Sequence, residues 1–309
     1  MASPYHHYLI ADDWIIPPEA ERYYTERVVR LPCYQPSNRQ RVIANQTPNR
    51  RDAGLPEDAF VFCCFNGAHK ITQFTFDRWL AILNRVPRSV LWLLGSNEAT
   101  EKRLRQYAET RGITAERIIF AAKLTNPHHL ARYPLADLFL DTTPYGAHTT
   151  SSDALWMGVP VLTVSGRSFA SRVCGSLVRA AGLPELVCES VGEYVERAVA
   201  LANDPAQIKA LRQKLRAQRD QCVLFDVPGL VRRLEELYEA MWQDHQAGRL
   251  PRPDLTNLEI YLETGTRLNH EAVETQSRAD YHDWWRSQLE QVHRQRSIPF
   301  DQRAFPAKP

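Results

Sequence analysis

The sequence has no run approaching the roughly 20 apolar residues that a membrane-spanning helix needs. Met1 is not followed by a basic-then-apolar secretory pattern, so a soluble, cytoplasmic protein is the expectation. An excess of either charge is also lacking: 38 Lys plus Arg stand against 36 Asp plus Glu. No strong field of one sign therefore points to nucleic acid or to an acidic membrane surface. The six cysteines (Cys33, Cys63, Cys64, Cys174, Cys188 and Cys222) show no C-x-x-C spacing, and two are adjacent in an apolar run. That pattern argues against a disulfide framework or a zinc site and for reduced, buried thiols. There is no internal repeat and no low-complexity tract. What remains is a chain of 309 residues, long enough for two domains or one large one and for a sizeable core.

The pattern that fills it is alternation. Tyr8 to Ala11 is a short apolar run, Pro17 and Pro18 open an expected helix over Glu19 to Arg27, and Val28 to Leu31 has the composition of a strand. Pro32 to Pro56 is polar and aperiodic, a linker or a surface excursion. FVFCCF, Phe60 to Phe65, has the length and composition of a buried strand. Phe76, Trp79, Leu80, Leu83 and Val86 recur at helical spacing. A strand at Val90 to Leu94, a helix closed by Gly112 and a strand at Ile118 to Ala121 follow. After a short helix around His128 to Tyr133, the order is strand (Leu138 to Leu140), loop, helix, strand, helix (Ser168 to Ala181) and a last short strand at Leu186 to Cys188. Strands alternating with helices predict an α/β, doubly wound, Rossmann-like parallel sheet, with ligands at the carboxyl ends of the strands. From Val191 the periodicity is helical. LPRPDLTNLEIY after Gly248 has the character of a connector, and Asp283 to Arg296 that of a polar helix.

The stretch ADLFLDTTPYGAHTTSSDALWMGVPVLT, Ala136 to Thr163, is the most informative. Its loop runs onto a helix N-terminus, where unpaired N–H groups and the positive dipole end favour an anion. Gly146, Ala147, Thr149 and Thr150 allow close approach to the backbone, which suits phosphate. Asp153, in the first turn, serves either as a dipole partner or as a polar handle for sugar hydroxyls. His148 as a metal ligand fails for want of a second His or Cys at ligand spacing.

The loops FNGAHKIT, AAKLTNPHHLAR and DTTPYGAHTTSSDALWMGVP, with SVLWLLG, SFASRVCGSLVRAAGLPEL and EELYEAMW, closely resemble the catalytic region of the O-GlcNAc transferase family. The likeness spans approximately Tyr8 to Gly248, in one order and at consistent spacing. These are GT-B glycosyltransferases that use UDP-N-acetylglucosamine. The resemblance implies a UDP-sugar-dependent enzyme that glycosylates Ser or Thr of a protein, with this chain as the donor-binding, C-terminal half. The expected organisation is 1–56 as a remnant of the N-terminal catalytic lobe and linker, 57–248 as the Rossmann-like UDP-sugar lobe with its C-terminal helices, and 249–309 as a helical tail. The TPR repeats and most of the N-terminal lobe are expected to be absent, with a partner chain as one source of the other lobe.

By the same resemblance, Lys70 matches a lysine that contacts the diphosphate and supports the departing UDP, the catalytic candidate. His129 matches a histidine packed on the uracil ring, and Arg132 a residue beside the base. His148, Thr149 and Thr150 match the loop that wraps the diphosphate, and Asp153 the carboxylate that bonds the ribose hydroxyls. Asn66, Gly67 and Asn126 are further candidates. Gly67 stands where the family often has a phosphate-touching glutamine and Asn126 where the animal enzymes have a lysine, which predicts weaker nucleotide affinity. Ser171 and Arg172 sit at a helix start that in the family supports the site; a purely structural role is the alternative. The partners implied are UDP-GlcNAc or a related UDP-sugar, as substrate, and a protein acceptor. No cofactor, metal, nucleic acid or membrane is implied. A catalytically inactive UDP or nucleotide-sugar binding module, or a truncated fragment, is the second reading, and an Asn-linked glucosyltransferase the third.

Overall fold

The structure, a computed structural model, describes residues 2–35, 37–46, 48–269 and 272–296. It divides into two compact units: Gln35–Val227, and Met1–Tyr34 together with Pro228–Pro309. These units divide the chain at other places than the expected borders at 56 and 248. Residues 35–56 group with the large sheet and the helix after 227 with the first segment, because side-chain anchors rather than composition decide where each segment packs. Met1, 36, 47, 270–271 and 297–309, parts of the expected first and last segments, lie outside the described residues.

In the smaller unit, strands β1 (Tyr8–Ala11) and β2 (Arg27–Arg30) pair in parallel, Tyr8 opposite Arg27 through Ala11 opposite Arg30. The helix expected over Glu19 to Arg27 is only a 3₁₀ turn, Pro18–Tyr23. Tyr24 is already extended (φ −104°, ψ 145°) so that Arg27 can enter the β2 ladder, and sheet pairing overrides local helical preference.

In the larger unit, β3 (Phe60–Cys64), β4 (Ser89–Leu94), β5 (Ile118–Ala121), β6 (Leu138–Leu140), β7 (Val161–Val164) and β8 (Val187–Cys188) form one six-stranded sheet. Every pairing is parallel, in the order β5-β4-β3-β6-β7-β8. Counted from the sheet's own first strand this is the 3-2-1-4-5-6 order of the dinucleotide-binding folds, whose switch point lies between the first and fourth strands. In this chain those strands are β3 and β6, paired through Phe62 with Leu138 and Cys63 with Phe139. Val61, Phe62, Cys63 and Cys64 are all at 0% exposure, as a strand covered on both faces must be.

Helix α1 (Gln73–Arg85) covers one face with Phe76, Trp79, Leu80, Ile82 and Leu83, and its cap Thr72 accepts from Thr75 N. Each such apolar side chain contributes about 1.5–3 kcal/mol by leaving water. Helix α2 (Glu98–Thr110) ends as the spacing predicts, with Gly112 at φ +79°. Helices α3 (Asn126–Arg132), α4 (Thr149–Trp156), α5 (Phe169–Ala180), α6 (Val191–Ala202) and α7 (Pro205–Gln218) follow in turn. Tyr194 of α6 ties the layers: its buried hydroxyl accepts from Trp79 Nε1 at 3.0 Å and donates to Asp141 O at 3.1 Å.

Residues 35–56 are an excursion, not a free linker. Arg50 donates to the carbonyls of Glu57 (2.9 Å) and Ala59 (2.7 Å) and to Asp137 Oδ2 (2.9 Å), which also accepts from Val61 N at the start of β3.

The smaller unit continues with α8 (Val227–Gln246), α9 (Leu258–Arg267) and α10 (Tyr281–His293). The last four residues of the expected connector LPRPDLTNLEIY, Leu258 to Tyr261, are thus helical. Ile260 gives the reason: it is buried with Leu289 and Val292 of α10, flanked by Tyr261 and Trp285. Among the described residues no helix is long and apolar enough to cross a membrane.

Candidate functional site

Because β3 and β6 are neighbours and parallel, the loops that leave their carboxyl ends open on the same side of the sheet. The loop after β3 carries Asn66 and Lys70; the loop after β6 runs from Asp141 to His148 and enters α4. Side-chain bonds join them directly. Asn66, 2% exposed, donates to Thr142 Oγ1 at 2.8 Å and accepts from Thr150 Oγ1. Lys70 Nζ donates to Gly146 O at 2.9 Å and stands 3.7 Å from the centre of the Tyr145 ring. Burial lowers the pKa of Lys70, with Asp141 opposing that shift. A half-desolvated ammonium of this kind gains most from a second anion.

Asp141 is the frame of the β6 loop. Its carboxylate is 2% exposed and accepts from Thr142 N (2.8 Å), Ala147 N (2.7 Å) and Thr163 Oγ1 (2.7 Å). Burial raises its pKa while those donors pull it back. Gly146 fits against this frame: a Cβ there would stand 3.0 Å from Asp141 Oδ2 and 3.4 Å from Cys174 Cβ. A side chain there would have to push Asp141 or Cys174 by a few tenths of an ångström.

His148 is the N-cap of α4 but contributes no side-chain capping bond. The first N–H groups of the helix, those of Thr149 and Thr150 included, therefore remain for an anion. Its ring lies 5.4 Å from that of Tyr145, edge to face. Burial, then the neighbouring Lys70, lowers its pKa to about 4, so the imidazole is neutral at pH 7. Its Nε2 is buried without a hydrogen-bond partner, an orphaned atom that a ligand can satisfy.

The third loop, after β5, leads into α3. His129 sits edge-on to Phe65 (5.2 Å) and Tyr133 (5.1 Å), and its pKa is lowered to about 4, first by burial and then by Arg132. Arg132 is 3% exposed. Its guanidinium donates to Ala122 O at 2.5 Å, meets His129 Nδ1, and lies 4.9 Å over the Phe65 ring. It thus orients His129 from beneath. Tyr133 joins this side to α4, its hydroxyl donating to Thr150 O at 3.3 Å.

The structure brings Asn66, Lys70, His148, Thr149 and Thr150 into one cluster, with His129 and Arg132 joined to it through Tyr133. Asn126, at the start of α3, is exposed. Gly67 lies under the ring of His69, whose Cε1 would be 2.6 Å from an added Cβ; a glutamine there requires that ring to move. Ser171 and Arg172 make local bonds, Ser171 Oγ to Ser168 O at 2.7 Å and Arg172 Nη1 to Gly166 O at 2.9 Å, which secure the turn between β7 and α5. Asp153, 5% exposed, is paired with Arg41 of the polar excursion. Arg41, Asp141, Tyr133 and Tyr145 are the residues that sequence reasoning missed. Asp141 and Tyr145 had a signal, their place just beyond the end of a strand at the switch point. Arg41, one arginine in an aperiodic segment, had none.

These residues can be set beside known proteins. The family model of glycosyl transferase family 41 matches residues 37–234. The chain belongs to that family. It is 40% identical over 256 residues to a probable UDP-N-acetylglucosamine–peptide N-acetylglucosaminyltransferase, SEC, of Arabidopsis thaliana, covering 81% of this chain and 26% of that protein. A UDP-N-acetylglucosamine–peptide N-acetylglucosaminyltransferase of Caenorhabditis elegans is 40% identical over 209 residues, 68% of this chain and 18% of that one. Among solved structures, an O-GlcNAc transferase mutant of Thermobaculum terrenum superposes with a TM-score of 0.70 at 37% identity, covering 77% of this chain and 45% of that one. The family 41 chain described above therefore spans about a quarter of the length of its curated relatives. The glycosyltransferase WaaG, at 18% identity and a TM-score of 0.53, shares the fold.

Proposed function

We propose that the larger unit of this family 41 chain binds the donor of a UDP-sugar glycosyltransferase of the O-GlcNAc transferase type, which transfers its sugar to Ser or Thr of a protein. The observation that carries the proposal is the junction of Lys70, the orphaned His148 Nε2 and the uncapped start of α4 at the β3/β6 switch point. Lys70 and the α4 N–H groups are donors, and His148 Nε2 donates in the tautomer that carries its proton there, a set that suits a diphosphate.

The roles follow from position. Lys70 and the α4 N–H groups at Thr149 and Thr150 stabilise the charge that grows on UDP as the glycosidic bond breaks. His148, neutral, donates one further bond to a phosphate oxygen. His129, held by Arg132 and flanked by aromatic rings, offers a flat surface to the uracil, and Asp153 accepts from the ribose hydroxyls. The donor is UDP-GlcNAc or a related UDP-sugar. The acceptor and the other lobe of the enzyme come from outside the described residues, the lobe by a partner chain or by a longer polypeptide. The cysteines, five of them buried, suit a reducing cytoplasm.

Incubating the purified chain with UDP-GlcNAc and peptide acceptors, and following both sugar transfer and hydrolysis, tests the assignment. Turnover that Lys70→Ala abolishes supports the enzyme. UDP binding without turnover supports a nucleotide-sugar binding module.

A further inference from the structure

The segment 37–44 has no helix or strand, yet its backbone is tied at both ends, Ser37 N to Leu224 O at 2.5 Å and Ala44 N to Pro127 O at 3.1 Å. Between these ties Arg41 turns inward. Its side chain is 10% exposed and that of Asp153 is 7% exposed. Every nitrogen of the guanidinium is engaged: Nη1 on Asp153 Oδ1, Nη2 on the hydroxyls of Ser37 and Ser152, and Nε on Asn38 O at 3.2 Å. The group also lies 5.8 Å over the Trp156 ring. A guanidinium held at all three nitrogens has one orientation, and it fixes the carboxylate it meets. That carboxylate is held by one oxygen only. Asp153 Oδ2 receives no hydrogen bond from the described residues and is not among their enclosed unpaired atoms, so it is open to water or to a ligand's donor.

We infer that Arg41 is a positioning residue of the nucleotide site: it clamps Asp153 by Oδ1 so that Oδ2 faces the ribose hydroxyls of the donor. The inference rests on the assignment of Asp153 to the ribose. Asp153 sits four residues after Thr149, one turn further along α4, which sets it back from the phosphate-facing end by about 6 Å. Ala44 is bonded beside α3, the base-facing helix. The segment therefore runs from the ribose carboxylate to the base side of the site. Its arginine contributes to nucleoside recognition without touching the sugar.

The test is a calorimetric titration of the chain with UDP and with 2′,3′-dideoxy-UDP, which lacks both ribose hydroxyls. The parent chain is expected to prefer UDP by about tenfold or more. Arg41→Gln is expected to bring the two ligands to within about twofold of each other, mainly by weakening UDP, and Arg41→Lys to restore part of the preference. Melting curves on the same samples confirm that each variant is folded. Full preference retained in Arg41→Gln would overturn the inference and leave Arg41 a stability clip, with the site assignment intact. No preference in the parent chain would instead overturn the ribose assignment, and the inference with it.

Discussion

The Lys70 ammonium stands over the Tyr145 ring at 3.7 Å and donates to the neighbouring carbonyl of Gly146 at 2.9 Å. Two residues of the β6 loop thus hold a cation from the β3 loop in place before any ligand arrives. A group already oriented loses little freedom when its partner binds. Lys70→Ala is expected to weaken UDP binding by about 1.5–3 kcal/mol, the worth of a charge-assisted contact, and to leave the melting temperature nearly unchanged. Tyr145→Phe keeps the ring and should behave as the parent; Tyr145→Ala should show part of the Lys70→Ala loss. Titration calorimetry and thermal melts read both.

Asp141 has the opposite profile, with large effects on the fold. Its replacement by Ala leaves Thr142 N, Ala147 N and Thr163 Oγ1 without an acceptor in a buried place. Each orphaned donor costs about 1–3 kcal/mol, so Asp141→Ala is expected to lose at least about 3 kcal/mol in chemical denaturation and to abolish UDP binding at the same time. A variant with parental stability would show that the β6 loop is held by other contacts.

The pH dependence of stability follows from two half-buried imidazoles. His129 and His148 have pKa values lowered from 6.5 to about 4. Between those values the unfolded chain binds more protons than the folded one, so stability rises with pH across that window. It is fully present above about 6.5 and is lost as the pH falls toward 4. Melting temperatures taken from about pH 7.5 down to 4.5 should therefore fall, and fall less steeply in His129→Gln, because that variant removes one of the two imidazoles while the carboxylates stay the same. Equal slopes in parent and variant would count against a half-buried, neutral His129.

Asp153→Asn separates a sugar ligand from a helix partner. Only a uridine nucleotide offers ribose hydroxyls, so the variant should weaken UDP several-fold and leave inorganic diphosphate unaffected. Asp153 stands beyond the first turn of α4 and is paired with Arg41, so equal losses for the two ligands would make it a structural partner of Arg41 alone.

Much of this was legible in the sequence, and for identifiable reasons. FVFCCF is apolar at every position, which only a strand covered on both faces tolerates, and β3 formed there. Leu138–Leu140 and Ile118–Ala121 are strands as their composition predicts. The loops were legible because small and hydroxyl-bearing residues ahead of a helix have few other uses. What escaped depended on distant partners. Glu19–Arg27 was drawn away from helix by the β1–β2 pairing, and Leu258–Arg267 into helix by burial of Ile260 against α10. Arg41 was hidden because its importance comes from Asp153, 112 residues away, and a polar segment carries no mark of such a contact.

The central claim is that the carboxyl ends of β3 and β6 hold uridine diphosphate, and the most direct measurement is a calorimetric titration of the purified chain with UDP, set against ADP and inorganic diphosphate. One UDP per chain is expected, bound more tightly than ADP or diphosphate and strongly weakened by Lys70→Ala. A chain with parental folding that binds no uridine nucleotide, or binds UDP no better than ADP, would contradict it.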